Sequence, residues 1–156
     1  MADNLIFAEG EAKFLAELVR HKVEFMIVGL SAAALQGAPV VTRDVDLWFR
    51  DVTDPGVAKA LKKVDGAYLP PAVDRPPMFA GKAVRLFDIV MNMDGLGSFE
   101  EEEENTLKVP IGRFKVSVLK LERIIASKKA AGREKDKIVM KALKDALKAI
   151  RKREVN

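Results

Sequence analysis

The sequence predicts an α/β protein of the α+β kind: a mixed β-sheet flanked by helices, closed by a C-terminal helix pair. Three observations carry this. Short apolar runs bounded by Gly and Pro alternate with segments of helical period. Their order reads α-β-α-β-α-β-β-β-α-α, which suits a sheet covered by helices. No linker is long enough to divide the 156 residues, so a single domain spans 1–156, with a core of about 23–118 and helices over about 120–152.

Ala8 to Arg20 reads as an amphipathic helix with Phe14, Leu15 and Leu18 on one side. Val23 to Val28 is a short apolar strand ended by Gly29, and Ser31 to Gln36 is an alanine-rich helix closed by Gly37. Val40 to Phe49 reads as a strand. Asp54-Pro55 is a cap followed by proline at the first helical position, with the helix running to about Val64. Leu69 to Pro77 holds four prolines and reads as an irregular loop. Lys82 to Met91 is a strand and Asp94 to Gly97 a turn. Leu107 to Val109 and Phe114 to Val118 form a hairpin around Pro110 to Arg113. Lys120 to Ala131 and Lys135 to Lys152 are helices broken at Gly132.

Composition excludes several chemistries. There is no cysteine, hence no disulfide, thiol nucleophile or Cys-based zinc site, which fits a cytoplasmic protein. The one histidine, His21, falls in a charged stretch at a helix end and reads as a surface residue, not a triad member. A metal would have to take oxygen ligands, which points to magnesium or manganese. No apolar run approaches the ~18 residues of a membrane span. Met1 to Phe7 lacks the pattern of a signal peptide. The net charge of +4 is uneven: residues 127–156 carry eleven Lys and Arg against four Asp and Glu. Oligomeric state is not legible in the sequence.

The segment richest in chemistry is Thr42-Arg43-Asp44-Val45-Asp46-Leu47. On a strand, alternate side chains share a face, so Asp44 and Asp46 would point the same way, with Cα atoms roughly 6.5 Å apart. Two such carboxylates can converge on divalent ions, while Val45 and Leu47 pack behind them. Two surface aspartates on one strand face would read the same way, and context decides. Val28-Gly29-Leu30-Ser31 is a strand-to-helix turn whose glycine lets a ligand approach the backbone, and whose helix start presents unpaired amides suited to phosphate. Asp88, in Arg85-Leu86-Phe87-Asp88-Ile89-Val90, sits among apolar neighbours, where a carboxylate needs an ion pair, hydrogen bonds or a metal.

In this order the residues resemble the nucleotidyltransferase superfamily with the DNA polymerase β-like fold. Its motif is a hydrophobic residue, Gly, then Gly or Ser, a gap, a D-h-D pair, and a third carboxylate on a later strand. Val28-Gly29, Asp44, Asp46 and Asp88 occupy those places. Thr42 and the run Lys128-Lys129-Ala130-Ala131-Gly132-Arg133-Glu134-Lys135-Asp136 resemble the small stand-alone members related to abortive-infection toxins. Leu30 stands where the motif has Gly or Ser, and Val40 where a basic residue often stands.

The resemblance implies a metal-dependent enzyme that moves a nucleoside monophosphate from a nucleoside triphosphate, such as ATP, to a hydroxyl acceptor on a small molecule, an RNA or a protein. It implies that Asp44, Asp46 and Asp88 hold Mg2+ or Mn2+, two ions about 3.5–4 Å apart in such sites. Gly29, Leu30, Ser31, Thr42, Lys128 and Arg133 would bind the nucleotide. The alternative is a catalytically inactive member that senses a nucleotide or binds a partner. Glu100 to Glu104 read as a solvated loop or helix start, and Trp48 as a core or edge residue. In the last helix Ile138, Val139, Ala142, Leu143, Ala146, Leu147 and Ile150 read as a core stripe. Its Lys and Arg residues read as a solvated face ahead of a nucleic-acid track, because no aromatic residue is interleaved; a nucleic-acid-binding domain using this basic tail is the third reading.

Overall fold

The structure is a computed structural model that describes residues 7–155, so the sequence reading of Met1 to Phe7 lies outside the described residues except for Phe7. Its elements are α1 (Glu9–Arg20), β1 (Phe25–Val28), α2 (Gly29–Leu35), β2 (Val45–Phe49), α3 (Pro55–Lys62), β3 (Ala67–Leu69), β4 (Met78–Ala80), β5 (Phe87–Val90), α4 (Phe99–Glu102), β6 (Thr106–Ile111), β7 (Phe114–Leu119), α5 (Leu121–Ala131) and α6 (Glu134–Val155), with a 3₁₀ turn at Glu103–Asn105.

Five strands form one mixed sheet in the order β5-β2-β1-β7-β6. β1 is its centre, and all four of its residues are buried. It runs antiparallel to β2 and parallel to β7, while β5 runs parallel to β2 on the outer edge. The core gathers around this centre: Ile27, Val28, Val45, Leu47, Val118 and Leu119 are fully buried. Phe14 of α1 meets the rings of Phe79 and Phe87 at 5.5 and 5.4 Å. The buried face of α1 is Phe14, Leu15 and Leu18, as the helical period predicts. Asp54 caps α3 by accepting the Gly56 amide at 2.7 Å, with Pro55 at the first position.

Several boundaries differ from the sequence reading. β2 begins at Val45, not Val40, because the Val40 amide turns back to the Ala38 carbonyl at 2.8 Å and residues 41–44 run outside the ladder. β5 begins at Phe87, since 82–86 form turns. β3 and β4 form a small separate sheet around the proline loop, which the four prolines mask in the sequence. Ile138 is 80% exposed, so the apolar stripe of α6 reaches the core through Leu143 and its partly buried neighbours Val139, Ala142, Ala146, Leu147 and Ile150.

Two polar side chains fix the C-terminal helices against the sheet. Gln36, at the end of α2, donates to the Leu119 carbonyl at 2.8 Å and accepts the Leu121 amide at 2.9 Å, joining α2 to the β7–α5 junction. Glu102 lies buried within the glutamate run. It accepts two hydrogen bonds from Arg123 of α5, at 2.8 and 2.7 Å, and one from the Gly97 amide at 3.1 Å. The run is therefore not uniformly solvated: one of its five members anchors α4 to α5. Trp48 is buried and meets Phe99 edge-on at 5.7 Å, a core role. Among the described residues no helix is long and apolar enough to cross a membrane.

Candidate active site

The site grows from β2 and its two neighbours. In the ladder Val28 faces Asp46 across the β1–β2 pairing, and Asp46 faces Asp88 across the β2–β5 pairing. Register partners on neighbouring strands project to the same sheet face, so the two carboxylates stand side by side. Val45 and Leu47 point to the other face and are fully buried, as the alternation requires.

Gly29 makes room for Asp46. Its φ is +68°, and a Cβ at this position would run into the Asp46 carboxylate oxygen. Any side chain here would be both strained and in collision with the acid. Ser31 completes the turn. It is 1% exposed, its hydroxyl donates to the Val28 carbonyl at 2.8 Å, and it accepts the Asp46 amide at 3.3 Å. Its side chain is spent on holding α2 to β2. Leu30 is partly buried against the core, so its side chain belongs to packing too.

Asp44 is exposed and lies just outside β2. The strand pleat therefore does not place it; the Thr42 hydroxyl does, by donating to the Asp44 carbonyl at 2.9 Å. Thr42 supports the backbone of the acidic loop. Asp88 is exposed on the edge strand and makes no ion pair among the described residues, so its cost in an apolar run is met by solvent.

A cleft of about 240 Å³ opens on this face. Gly29 and Asp46 form one side, Asn92 and Asp94 of the loop after β5 another, and Ser127, Lys128 and Arg133 of the α5–α6 junction the third. The loop packs tightly on α5: Gly95 has φ +71°, and a Cβ there would strike the methyl of Ala130. Lys128 and Arg133, both expected at the site, are both on its wall. They are held by Asp136, which is 1% exposed and lies 3.2 Å from Lys128 and 2.8 Å from Arg133. Asn92, Asp94, Ser127 and the ion-pairing role of Asp136 were not singled out from the sequence. Asp136 stood inside the basic run there, but its burial depends on how α5 and α6 fold back on each other.

Electrostatics single out Asp46. Burial, then the neighbouring Asp88 and Asp44, push its carboxyl from the ordinary value of 3.8 up to about 6, against the opposing pull of Lys128 and Lys135. Asp88 is also pushed up, by desolvation first and Asp44 second. Asp136 moves the other way, to about 2, through hydrogen bonds from Arg133 and Lys128. The face thus joins carboxylates under mutual repulsion to a wall of cations.

Among the described residues no three His, Asp or Glu side chains gather closely enough to form a complete metal cage. The donor set still suits a hard cation. All the donors are carboxylate oxygens without ion-pair partners, and magnesium is commonly held by one or two carboxylates together with substrate phosphates.

No family model matches this chain, and no curated protein matches it. Solved structures do. The crystal structure of ANT(2″)-Ia in complex with adenylyl-2″-tobramycin is 16% identical, with a TM-score of 0.60 over 89% of this chain and 88% of that one. The solution structure of the antibiotic-resistance factor ANT(2″)-Ia is 15% identical, with a TM-score of 0.51 over 91% and 93%. An antigenic nucleotidyltransferase-like protein from Paracoccidioides brasiliensis is 17% identical, with a TM-score of 0.56 over 92% and 78%. The fold of this chain is the nucleotidyltransferase fold.

Proposed function

We propose that this chain uses its nucleotidyltransferase fold for metal-dependent transfer of a nucleoside monophosphate from a nucleoside triphosphate to a hydroxyl acceptor. The observation that carries the reading is the in-register pair Asp46 and Asp88, with a glycine cleared against Asp46 and a lysine on the facing wall.

Asp46 and Asp88, with Asp44 beside them, would hold Mg2+ or Mn2+. When bound, the ion supplies charge neutralisation at the phosphates and lowers the pKa of the acceptor hydroxyl. The chain's own residues do the remainder. Gly29 admits the triphosphate close to the backbone next to Asp46. Lys128 and Arg133 lie against the phosphates and offset the negative charge that builds on the leaving group. Asp136 keeps both cations on the cleft wall. The acceptor oxygen attacks the α-phosphorus, and its bond forms as the bond from that phosphorus to the bridging oxygen breaks. Pyrophosphate leaves with the electron pair, and Asp88, open to solvent on the edge strand, accepts the proton.

A second reading, a nucleotide sensor without transfer, draws on Leu30, whose side chain serves packing where the motif has Gly or Ser. Both readings require triphosphate binding. The test is thermal unfolding with magnesium and each nucleoside triphosphate, in wild type and in Asp46→Asn. Selective binding to the native state raises stability by about 2.7 kcal/mol at a hundredfold excess over Kd. A rise in the wild type that Asp46→Asn loses supports the site. An unchanged melting temperature in both proteins with every triphosphate refutes it.

A further inference from the structure

Ser31, Glu102, Ser127 and Asp136 are the buried polar side chains among the described residues. Three of them have partners: Ser31 in the Val28 carbonyl, Glu102 in Arg123, and Asp136 in Lys128 and Arg133. Ser127 is the exception. It is 6% exposed, and its hydroxyl makes no hydrogen bond among the described residues. A buried hydroxyl without a partner costs free energy, and the large majority of such groups in folded proteins find one. This one lies on the wall of the cleft that holds Asp46. Its neighbours on α5 differ in kind. Ile124, Ser127 and Lys128 share one face of the helix, at i, i+3 and i+4, and all three line the cleft. The wall therefore runs from an apolar side chain through a hydroxyl to a cation.

We infer that the Ser127 hydroxyl binds the ribose of the nucleotide, a reading that rests on the proposed triphosphate site. The order along the wall matches the order along a nucleoside triphosphate. Lys128, with Arg133 beside it in the lining, is the phosphate end. Ile124 is the apolar end, and Val90 and Met93 add to the apolar lining that suits a base. A serine hydroxyl between the two both donates and accepts, as a sugar hydroxyl does. Asn92 and Asp94, from the loop after β5, line the same cleft. Their amide and carboxylate can accept from sugar hydroxyls, whereas a carboxylate repels phosphate, so these groups suit the uncharged middle of the ligand. The loop that carries them is seated on α5 through Gly95 and Ala130, so both walls are in place before a ligand enters.

The test combines thermal melts with binding titrations of wild type, Ser127→Ala and the near-isosteric Ser127→Cys. Without ligand, Ser127→Ala should melt as high as wild type or higher, because alanine is the better helix former and the unpartnered hydroxyl is gone. The titrations use magnesium with ribonucleoside triphosphates, their 2′-deoxy and 3′-deoxy forms, and inorganic triphosphate. Wild type should bind a ribonucleotide roughly threefold to tenfold more tightly than one of its deoxy forms, the worth of one neutral hydrogen bond. Both variants should lose that preference, binding the ribonucleotide as weakly as that deoxy form, and should hold inorganic triphosphate as wild type does. A lower melting temperature of Ser127→Ala would give the hydroxyl a structural role and overturn the inference. So would a sugar preference that survives in the variants, or weaker binding of inorganic triphosphate by them, which would put Ser127 at the phosphates. Triphosphate binding by wild type with no sugar preference overturns this inference alone. No triphosphate binding by wild type overturns the proposed site, and this inference with it.

Discussion

Asp46 and Asp88 face each other in register on the parallel strands β2 and β5, so two carboxylates share one face of the sheet beside a glycine with positive φ. Like charges at neighbouring positions oppose each other, and the burial of Asp46 adds to the cost. Its pKa of about 6, above the ordinary 3.8, makes this a statement about stability. The folded state binds more protons than the unfolded state between these values, so the contribution of Asp46 to stability falls as pH rises from about 4 to about 6. Asp46→Asn should therefore melt higher than wild type at pH 7, by of the order of 2 kcal/mol, and the gap should close towards pH 4. Thermal melts of both proteins over this pH range, in chelator, check it.

Glu102 and Asp136 have the opposite sign. Arg123 holds Glu102 at about 2, from 4.5, and Arg133 with Lys128 holds Asp136 at about 2, from 3.8. Their stabilisation is complete above the ordinary values and is lost as pH falls through these values towards 2. Glu102→Gln should lower stability at pH 7 by about 1.5–3 kcal/mol, the usual worth of hydrogen bonds to a charged group. It should also flatten the acid limb of the pH–stability curve. An acid titration followed by circular dichroism reads both effects.

Gly29→Ala should fail for two reasons that add. The left-handed backbone costs an L-residue about 1–2 kcal/mol, and the new methyl displaces the Asp46 carboxylate. The variant should unfold earlier in urea and lose the triphosphate response. Gly112→Ala, at φ +65° with open space around it, should share the backbone cost and keep that response.

Asp136→Asn separates positioning from direct binding. Lys128 and Arg133 lose their common anchor, and the site should bind triphosphate more weakly although every residue facing the phosphates is still present. Lys128→Ala should lose binding too. Restoring the carboxylate as Asp136→Glu should recover part of it, which a general loss of folding would not.

Much of this site was legible in the sequence, because local patterns specify it. Gly29 at a strand end, Val45 and Leu47 packing behind Asp46, and the break at Gly132 follow from short-range rules. What was not legible depends on residues distant along the chain. The pleat argument placed Asp44 on β2, yet the chain leaves the ladder before Val45, and Thr42 sets Asp44 instead. The tie between the Ser31 hydroxyl and the Asp46 amide joins residues fifteen apart along the chain and has no local signal. Glu102 is indistinguishable from its four neighbours until Arg123 folds over it. The prolines hide the β3–β4 hairpin because their local signal is for loop, while Phe79, packed against Phe14 and Phe49, holds the hairpin in place.

The most direct test of the transfer reading uses nucleoside triphosphates labelled at the α- or the γ-phosphate. Each is incubated with magnesium, cell extract and either wild type or Asp46→Asn/Asp88→Asn. Transfer of a nucleoside monophosphate predicts that wild type attaches the α-label, and not the γ-label, to an acceptor, and that the double variant attaches neither. Equal α-labelling by the two proteins, or attachment of the γ-label, would contradict the account.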